Sequence, residues 1–282
     1  MPSSDPFSPP AQPAGVPPAM IPQRIRTRSF ASFRTIFALI LREMSTRYGQ
    51  SPGGYVWAIL EPLGGVLMLA FGFSLLIHHP ALGTSFMLFY ATGFLPFSLY
   101  QSILNAVSRA LSFSKPLLMY PAVTWMDALI ARAVLNTLTG VMVAYLLLTG
   151  IFFFSDTKSV LDFGPILLAI SMASLFGISV GSFNCFLIGV FPAWELIWSI
   201  LSRPLFLMSG ILFIYEDLPR LLQDILWYNP LLHVVGEMRR GFYPMYSADY
   251  VSAPYVILLS LLLLAFSFVM LQRYHRDILN EN

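Results

Sequence analysis

An all-α integral membrane protein is the fold class this sequence predicts. It has six transmembrane helices preceded by an amphipathic interface helix, with short re-entrant helices on the outer side between spans five and six. Three observations carry the prediction. The 282-residue chain is 57% hydrophobic and only 11% charged, with a mean hydropathy of +0.71, whereas a soluble domain carries about 25% charge. Several apolar stretches reach the roughly 20 residues that a helix needs to cross a hydrocarbon core of about 30 Å. The same stretches lack the period-2 alternation of an outer-membrane barrel.

The elements follow in chain order. The opening "MPSSDPFSPPAQPAGVPPAMIPQ" has no apolar core of a signal peptide, and its prolines can neither continue a helix nor fill a core. Residues 1–28 are therefore expected to be a disordered, Pro-rich cytoplasmic tail. Residues 29–50 read as an amphipathic interface helix. Phe30, Phe33, Phe37, Ile40, Leu41 and Met44 share one face, and Arg34, Arg42, Glu43, Thr46 and Arg47 take most of the other. Such a helix is either a lipid-surface anchor alone or also a docking surface for a soluble partner.

Residues 51–282 hold the six-span domain. The spans are placed at Tyr55–Ile77, Phe86–Val107, Ala133–Phe154, Pro165–Phe191, Leu196–Tyr215 and Pro254–Leu271. Between the last two, Leu218, Leu221, Leu222, Ile225 and Leu226 recur at helical spacing. Asn229-Pro230 breaks the run, and a second short helix starts at Leu231 and ends near Gly241. Two short helices dipping into the outer leaflet fit this pattern, and any non-helical backbone at that depth must be covered by protein or line a wet cavity.

Loop charges set the orientation. With the N-terminus in the cytoplasm, Arg24, Arg26, Arg28, Arg34, Arg42, Arg47, Arg109, Lys115, Arg132, Arg273 and Arg276 are inside, which is most of the 16 basic residues. Lys158, Arg220, Arg239 and Arg240 are outside, and Arg203 lies within the fifth span. This bias places both termini in the cytoplasm. A net charge of +2 is too small to argue for nucleic acid.

Few residues offer chemistry. Glu61 lies about 6 residues into the first span, roughly 9 Å deep. A charge at the bilayer centre costs roughly 2.5–3.5 kcal/mol, so Glu61 must face the protein interior, a wet cavity or a basic partner. Arg203 sits at similar depth on the fifth span, followed by Pro204. Either the two pair, within one chain or between two, or they lie on a substrate path or gate. The stretch Gly177–Gly181, "GISVG", matches both the Gly-x-Ser-x-Gly hydrolase pattern and the Gly-x-x-x-Gly packing pattern. No histidine lies in any span to complete a triad, so close helix packing is the expectation. The single cysteine, Cys185, reads as a buried small hydrophobe. No Gly-x-x-x-x-Gly-Lys-[Ser/Thr] phosphate loop occurs. Span aromatics such as Phe71, Phe73, Phe89, Tyr90, Phe94, Phe97, Tyr100, Tyr145, Phe152 and Phe153 are either packing and lipid-facing groups or stacking surfaces for sugars.

Four stretches together resemble the permease subunit of ABC exporters of capsular polysaccharide and lipopolysaccharide O-antigen, in the ABC type-2 permease family. "LREMSTRYGQSPGGYVWAILEP" is similar to that family's passage from interface helix to first span, with its Arg-Tyr, Gly-Tyr-x-Trp and Glu-Pro elements. "KPLLMYPAVTWMDALIAR" is similar to its loop between spans two and three, and "SRPLFLMSGILF" to its fifth span. "YNPLLHVVGEMRRGFYPMY" is similar to its outer re-entrant segment. The match runs from about Phe30 to the end.

The resemblance implies a homodimer of six-span subunits served by two separate ATPase subunits. ATP would be bound by that partner, with no cofactor in this chain and no enzymatic activity of its own. It implies export of a lipid-linked capsular polysaccharide across the bacterial inner membrane, with a periplasmic co-polymerase and an outer-membrane exporter continuing the route. O-antigen or another glycan is the alternative cargo. A channel independent of ATP and a membrane enzyme such as a lipid hydrolase are the rivals of other classes. Expected contacts to the ATPase are Arg42 and Arg47 of the interface helix and Lys115, Leu117 and Tyr120 of a cytoplasmic loop stiffened by Pro116 and Pro121. Expected substrate-path or gating residues are Tyr55, Trp57, Glu61, Arg203, His233, Arg239 and Arg240. For the two outer arginines, salt bridges to Glu237, Asp224, Glu216 or Asp217 compete with a role in meeting lipid phosphate or an acidic glycan. On the second reading, Arg239→Lys and Arg240→Lys leave protein levels unchanged and at least one slows export.

Overall fold

A computed structural model of the chain describes residues 31–48, 54–118, 123–154 and 161–281. The proline-rich tail expected at 1–28 and the candidate contact Tyr120 lie outside them. Among the described residues the structure is helical, with no strand. The helices are α1 (Ala31–Tyr48), α2 (Gly54–Ser74), α3 (Phe86–Ser108), α4 (Ala110–Leu118), α5 (Trp125–Phe154) and α6 (Phe163–Val190). They continue with α7 (Trp194–Leu207), α8 (Arg220–Leu226), α9 (Pro230–Phe242) and α10 (Ala253–Glu281), with a 3-10 turn at Tyr215–Asp217 before α8.

Among the described residues four helices are long and apolar enough to cross a membrane, over Val56–Ser74, Trp125–Phe153, Phe163–Val190 and Ala253–Leu279. Helix α3 has the length, at 23 residues, but Ser98, Gln101, Ser102 and Asn105 dilute its apolar character. Helix α7 has only 14 residues, about 21 Å, which is short of a hydrocarbon core. The regular fifth span expected over Leu196–Tyr215 therefore stops early. Pro204 supplies no N–H to the ladder, the last turn tightens as the Ser209 N–H donates three residues back to the Phe206 carbonyl at 3.3 Å, and Gly210 takes φ +79°, a left-handed conformation that glycine adopts without penalty.

Helix α6 is the centre of the bundle and packs against α3, α9 and α10. Its small residues make that possible. A Cβ added at Gly177 would lie 3.0 Å from the Tyr100 carbonyl oxygen, and one at Gly181 would lie 3.1 Å from that of Leu104. Gly177–Gly181 is thus a packing seam against α3. Ser179 is fully buried in it, its hydroxyl donating to the Leu175 carbonyl at 2.7 Å, which leaves no exposed nucleophile. Cys185 is buried on the same helix.

The non-helical backbone after α7 packs against α9, with Arg239 donating to the Ile211 and Phe213 carbonyls. Asn229 caps α9, accepting from the Leu231 N–H at 3.1 Å, while its amide donates to the Met208 carbonyl at 2.9 Å. Pro230 follows at the first helical position, where its missing N–H costs nothing. The Asn-Pro pair thus starts one helix and ties down the end of another. Helix α9 is buried along nearly its whole length.

Helix α1 turns Phe33, Phe37 and Leu41 outward. Glu43 departs from the expectation. It was placed on the polar, water-facing side, but only 6% of it is exposed, because Arg132 of α5 reaches it.

Candidate functional site

Helix α3 starts at Ser85, whose hydroxyl accepts from the Leu88 N–H at 3.3 Å. One side of α3 is occupied by α6. The other presents Ser98, Gln101, Ser102, Asn105 and, just past its end, Arg109. These recur every three or four residues and so form one stripe. Three adjoining cavities share it. The first, of about 260 Å³, lies toward α2 and α5 and is lined by Glu61, Phe94, Phe97, Ser98, Gln101, Ser102, Asn105 and Thr139. The second, of about 440 Å³, lies toward α1 and is lined by Glu43, Thr46, Asn105, Arg109, Phe113 and Arg132. The third, of about 600 Å³, lies toward α7 and is lined by Gln101, Asn105, Arg109, Glu195, Trp198, Ser199, Ser202 and Arg203. Asn105 belongs to all three, and Gln101 to two.

Glu61 and Arg203 therefore flank one polar stripe from opposite sides, and they form no ion pair within this chain. Helix α2 carries Glu61 against α3 and α5, whereas α7 carries Arg203 and packs on α6. The stripe lies between them. Of the other residues expected on a substrate path, Trp57 projects outward with 63% exposure and lines none of the three cavities. Tyr55 lies in the first turn of α2. Phe94 and Phe97 do line the first cavity, and both meet Phe206 edge-on at 6.3 and 5.2 Å. Tyr100 is stacked on Phe176 in the core, and Phe71, Tyr145 and Phe153 face outward.

At the Arg109 end of the stripe, charged groups join the helices. Arg109 donates to Glu195 of α7 at 2.6 Å. The indole N–H of Trp194 donates to Asn184 of α6 at 2.9 Å. Arg132 donates through Nε to Glu43 at 3.2 Å and through Nη1 to the Ala106 carbonyl at 2.8 Å, and its guanidinium lies 4.1 Å over the Phe113 ring. Arg42 approaches the same ring at 5.9 Å. Arg42 is exposed on α1, and Arg47 lies in the last turn of that helix. Lys115 and Leu117 do not sit in a loop as expected. They belong to the last turn of α4 and are partly buried.

The three candidates on α9 are structural in their contacts. His233 is fully buried, and both ring nitrogens are engaged. Nδ1 accepts from the Ser252 N–H at 3.1 Å, so Nε2 carries the proton and donates to the Trp227 carbonyl at 2.7 Å. Burial holds this imidazole below its ordinary range. Arg239 is 1% exposed and pairs with none of the carboxylates expected. It donates to the Phe213 and Ile211 carbonyls at 2.8 and 2.9 Å and lies 4.2 Å over the Phe89 ring. Arg240 is exposed and takes Glu237 at 3.4 Å, while Glu216 accepts from the Tyr246 hydroxyl at 3.0 Å.

Sequence reasoning passed over Gln101, Asn105 and the Glu43–Arg132 pair. The signal for the first two was their spacing with Arg109, at i, i+4 and i+8 along one face of α3.

The fold is thus that of a helical membrane protein with a polar seam. The ABC-2 type transporter family model matches residues 34–243, and the chain belongs to that family. It is 33% identical over 230 residues to the polysialic acid transport protein KpsM of Escherichia coli, which covers 82% of this chain and 89% of KpsM. It is 25% identical over 246 residues to the capsule polysaccharide export inner-membrane protein BexB of Haemophilus influenzae, covering 87% and 92%. The similarity to the capsule polysaccharide export inner-membrane protein CtrC of Neisseria meningitidis serogroup A is 24% over 245 residues, covering 87% and 92%.

Proposed function

We propose that this chain is the transmembrane subunit of an ATP-driven exporter that moves a lipid-linked capsular polysaccharide across the bacterial inner membrane. The observation that carries the reading is the α3 stripe. Ser98, Gln101, Ser102 and Asn105 of α3 run along three adjoining cavities whose other walls carry Glu43, Glu61, Arg109, Arg132, Glu195 and Arg203, and a stripe rich in hydroxyls and amides suits a long hydroxylated chain better than a lipid tail. Kinship with KpsM, BexB and CtrC supports the same cargo class.

In this reading α2, α3, α5, α6, α7 with residues 208–214, and α10 are the six crossings, and α8 and α9 are re-entrant on the periplasmic side. Both termini are cytoplasmic. A separate ATPase subunit binds ATP and docks near α1 and α4. Of the described residues of α7 none is buried, and α2 buries little of its surface, which supports a second copy of the chain covering them. A periplasmic co-polymerase and an outer-membrane exporter take the glycan onward.

Deleting the gene tests the reading. Surface polysaccharide is expected to vanish while intracellular polysaccharide accumulates, and an ATPase is expected to copurify with the tagged chain. Unchanged surface polysaccharide in the deletion strain would overturn it.

A further inference from the structure

Gln101 and Asn105 hold an unusual position. They are four residues apart on the exposed side of α3, one turn or about 6 Å along the axis. Asn105 lines all three cavities and Gln101 lines two. Neither amide makes a side-chain hydrogen bond among the described residues, although both are flanked by groups that do. Arg109 takes Glu195, and Arg132 takes Glu43 and the Ala106 carbonyl. Ser108 donates to the backbone carbonyl of Asn105, not to its amide.

An amide carries two donors and an acceptor with two lone pairs. Left without partners in a membrane helix, it demands water or a polar ligand. Two other amides of this chain are tied to backbone, Asn136 to the Arg132 carbonyl at 2.8 Å and Asn229 to the Met208 carbonyl at 2.9 Å, whereas Gln101 and Asn105 face the cavities.

We infer that Gln101 and Asn105 are the residues that read the translocated chain, as a ladder of neutral amides exchanging hydrogen bonds with sugar hydroxyls. The inference rests on the exporter reading above and names its cargo-contacting groups. One helical turn is comparable to the advance of one pyranose along a glycan, so a hydroxyl pair can pass from one amide to the next without losing both contacts. Each amide donates and accepts, so it serves a hydroxyl in either orientation and demands no particular sugar. Ser102 lies between the two amides, and Ser98 extends the ladder toward the Phe86 end of α3. Charge lies on the walls around the ladder, at Glu61 and Arg203 on opposite sides and, toward the Arg109 end, in the pairs Arg109–Glu195 and Arg132–Glu43. A neutral ladder neither traps nor repels a passing chain, as a row of guanidinium groups would trap a polyanion.

The test uses the full chain expressed in its own cell with the chromosomal copy deleted. Gln101→Leu with Asn105→Leu removes both amides at similar bulk. Surface polysaccharide is expected to fall about tenfold, the scale of one lost polar contact, at unchanged membrane level of the protein. The pair Gln101→Ser with Asn105→Ser keeps a hydroxyl at each rung and is expected to retain most of the export, which a purely structural role would not predict. Should the leucine pair fail to accumulate in the membrane, Gln101→Ala with Asn105→Ala removes the same amides and faces the same expectation. Wild-type levels of surface polysaccharide from the leucine pair, or from the alanine pair where the leucine pair does not accumulate, would overturn the inference and leave the exporter reading standing. Failure of the wild-type chain itself to restore any surface polysaccharide would overturn the exporter reading.

Discussion

Arg132 and Glu43 meet at 3.2 Å with 9% and 8% of their side chains exposed, and this contact fastens the interface helix α1 to α5. Removing one member of a buried pair strands the other and costs about 3–5 kcal/mol. Replacing both with apolar residues of similar volume is often neutral. Glu43→Gln and Arg132→Met are each expected to lower the temperature at which the protein in nanodiscs loses its monodisperse elution. The double variant Glu43→Leu with Arg132→Met is expected to recover much of the loss. A double variant as unstable as the sum of the two singles would show that the two residues do not act as a pair.

The ion pair at the other flank of the stripe should behave differently. Arg109 and Glu195 are 66% and 53% exposed, and such pairs contribute about 0–1 kcal/mol. Glu195→Gln should therefore leave thermal stability nearly unchanged. Its position matters more than its energy, because it joins the end of α3 to the start of α7, a helix held otherwise by few contacts. Arg109→Cys with Glu195→Cys, bridged by a short reducible crosslinker, is expected to stop export and to regain it on reduction. Export that continues in the crosslinked protein would show that these two ends need not separate.

The spans of α5, α6 and α10 were legible because unbroken apolar length has one cheap solution in a bilayer. The short helix α9 was legible because Asn229-Pro230 breaks the preceding run, although the capping role of Asn229 is visible only in the structure. The early end of α7 was not. Pro204 is tolerated inside many helices, and the left-handed turn at Gly210 depends on Leu232 and Asn229, which are distant in sequence. Glu61 and Arg203 stood out because charge in an apolar run is costly, yet their separation follows from how α2 and α7 rotate against α3, which no local pattern fixes. Gln101 and Asn105 were missed for the opposite reason, since a neutral amide costs less than a charge and draws less notice. Arg239 and His233 read as path residues in sequence because the contacts that bury them, Ile211 and Phe213 for the first and Trp227 and Ser252 for the second, are made by tertiary packing.

That burial changes the expectation for Arg239. Lysine was expected to keep protein levels unchanged at this position. A single ammonium cannot serve the Ile211 and Phe213 carbonyls in the fork geometry of guanidinium while lying flat over Phe89. Hydrogen bonds from charged groups are worth about 1.5–3 kcal/mol each. Arg239→Lys is therefore expected to destabilise by about 2 kcal/mol and to lower the amount of protein in the membrane. Arg240→Lys, at an exposed site, should do neither. Equal membrane levels and thermal stability for Arg239→Lys and wild type would mean that the two carbonyl contacts contribute nothing.

His233 gives a pH dependence with a definite sign. Its neutral form is fixed by two contacts, the Ser252 N–H donating to Nδ1 and Nε2–H donating to the Trp227 carbonyl. Protonating Nδ1 would set two donors against each other, and burial also disfavours the cation, so the folded pKa is lowered. In the unfolded chain the ring titrates near about 6.5. Above that value both states are neutral and the full stability is present. As the pH falls below it, the unfolded state takes up the proton first, and stability declines until the pH drops below the lowered folded pKa. The nanodisc-embedded protein is therefore expected to lose thermal stability on mild acidification. His233→Gln, which has no titrating ring, should be less stable at neutral pH and show a flatter profile across the same window. A wild-type profile as flat as that of His233→Gln would show that the imidazole takes up its proton equally well folded and unfolded, against the two contacts that define its tautomer.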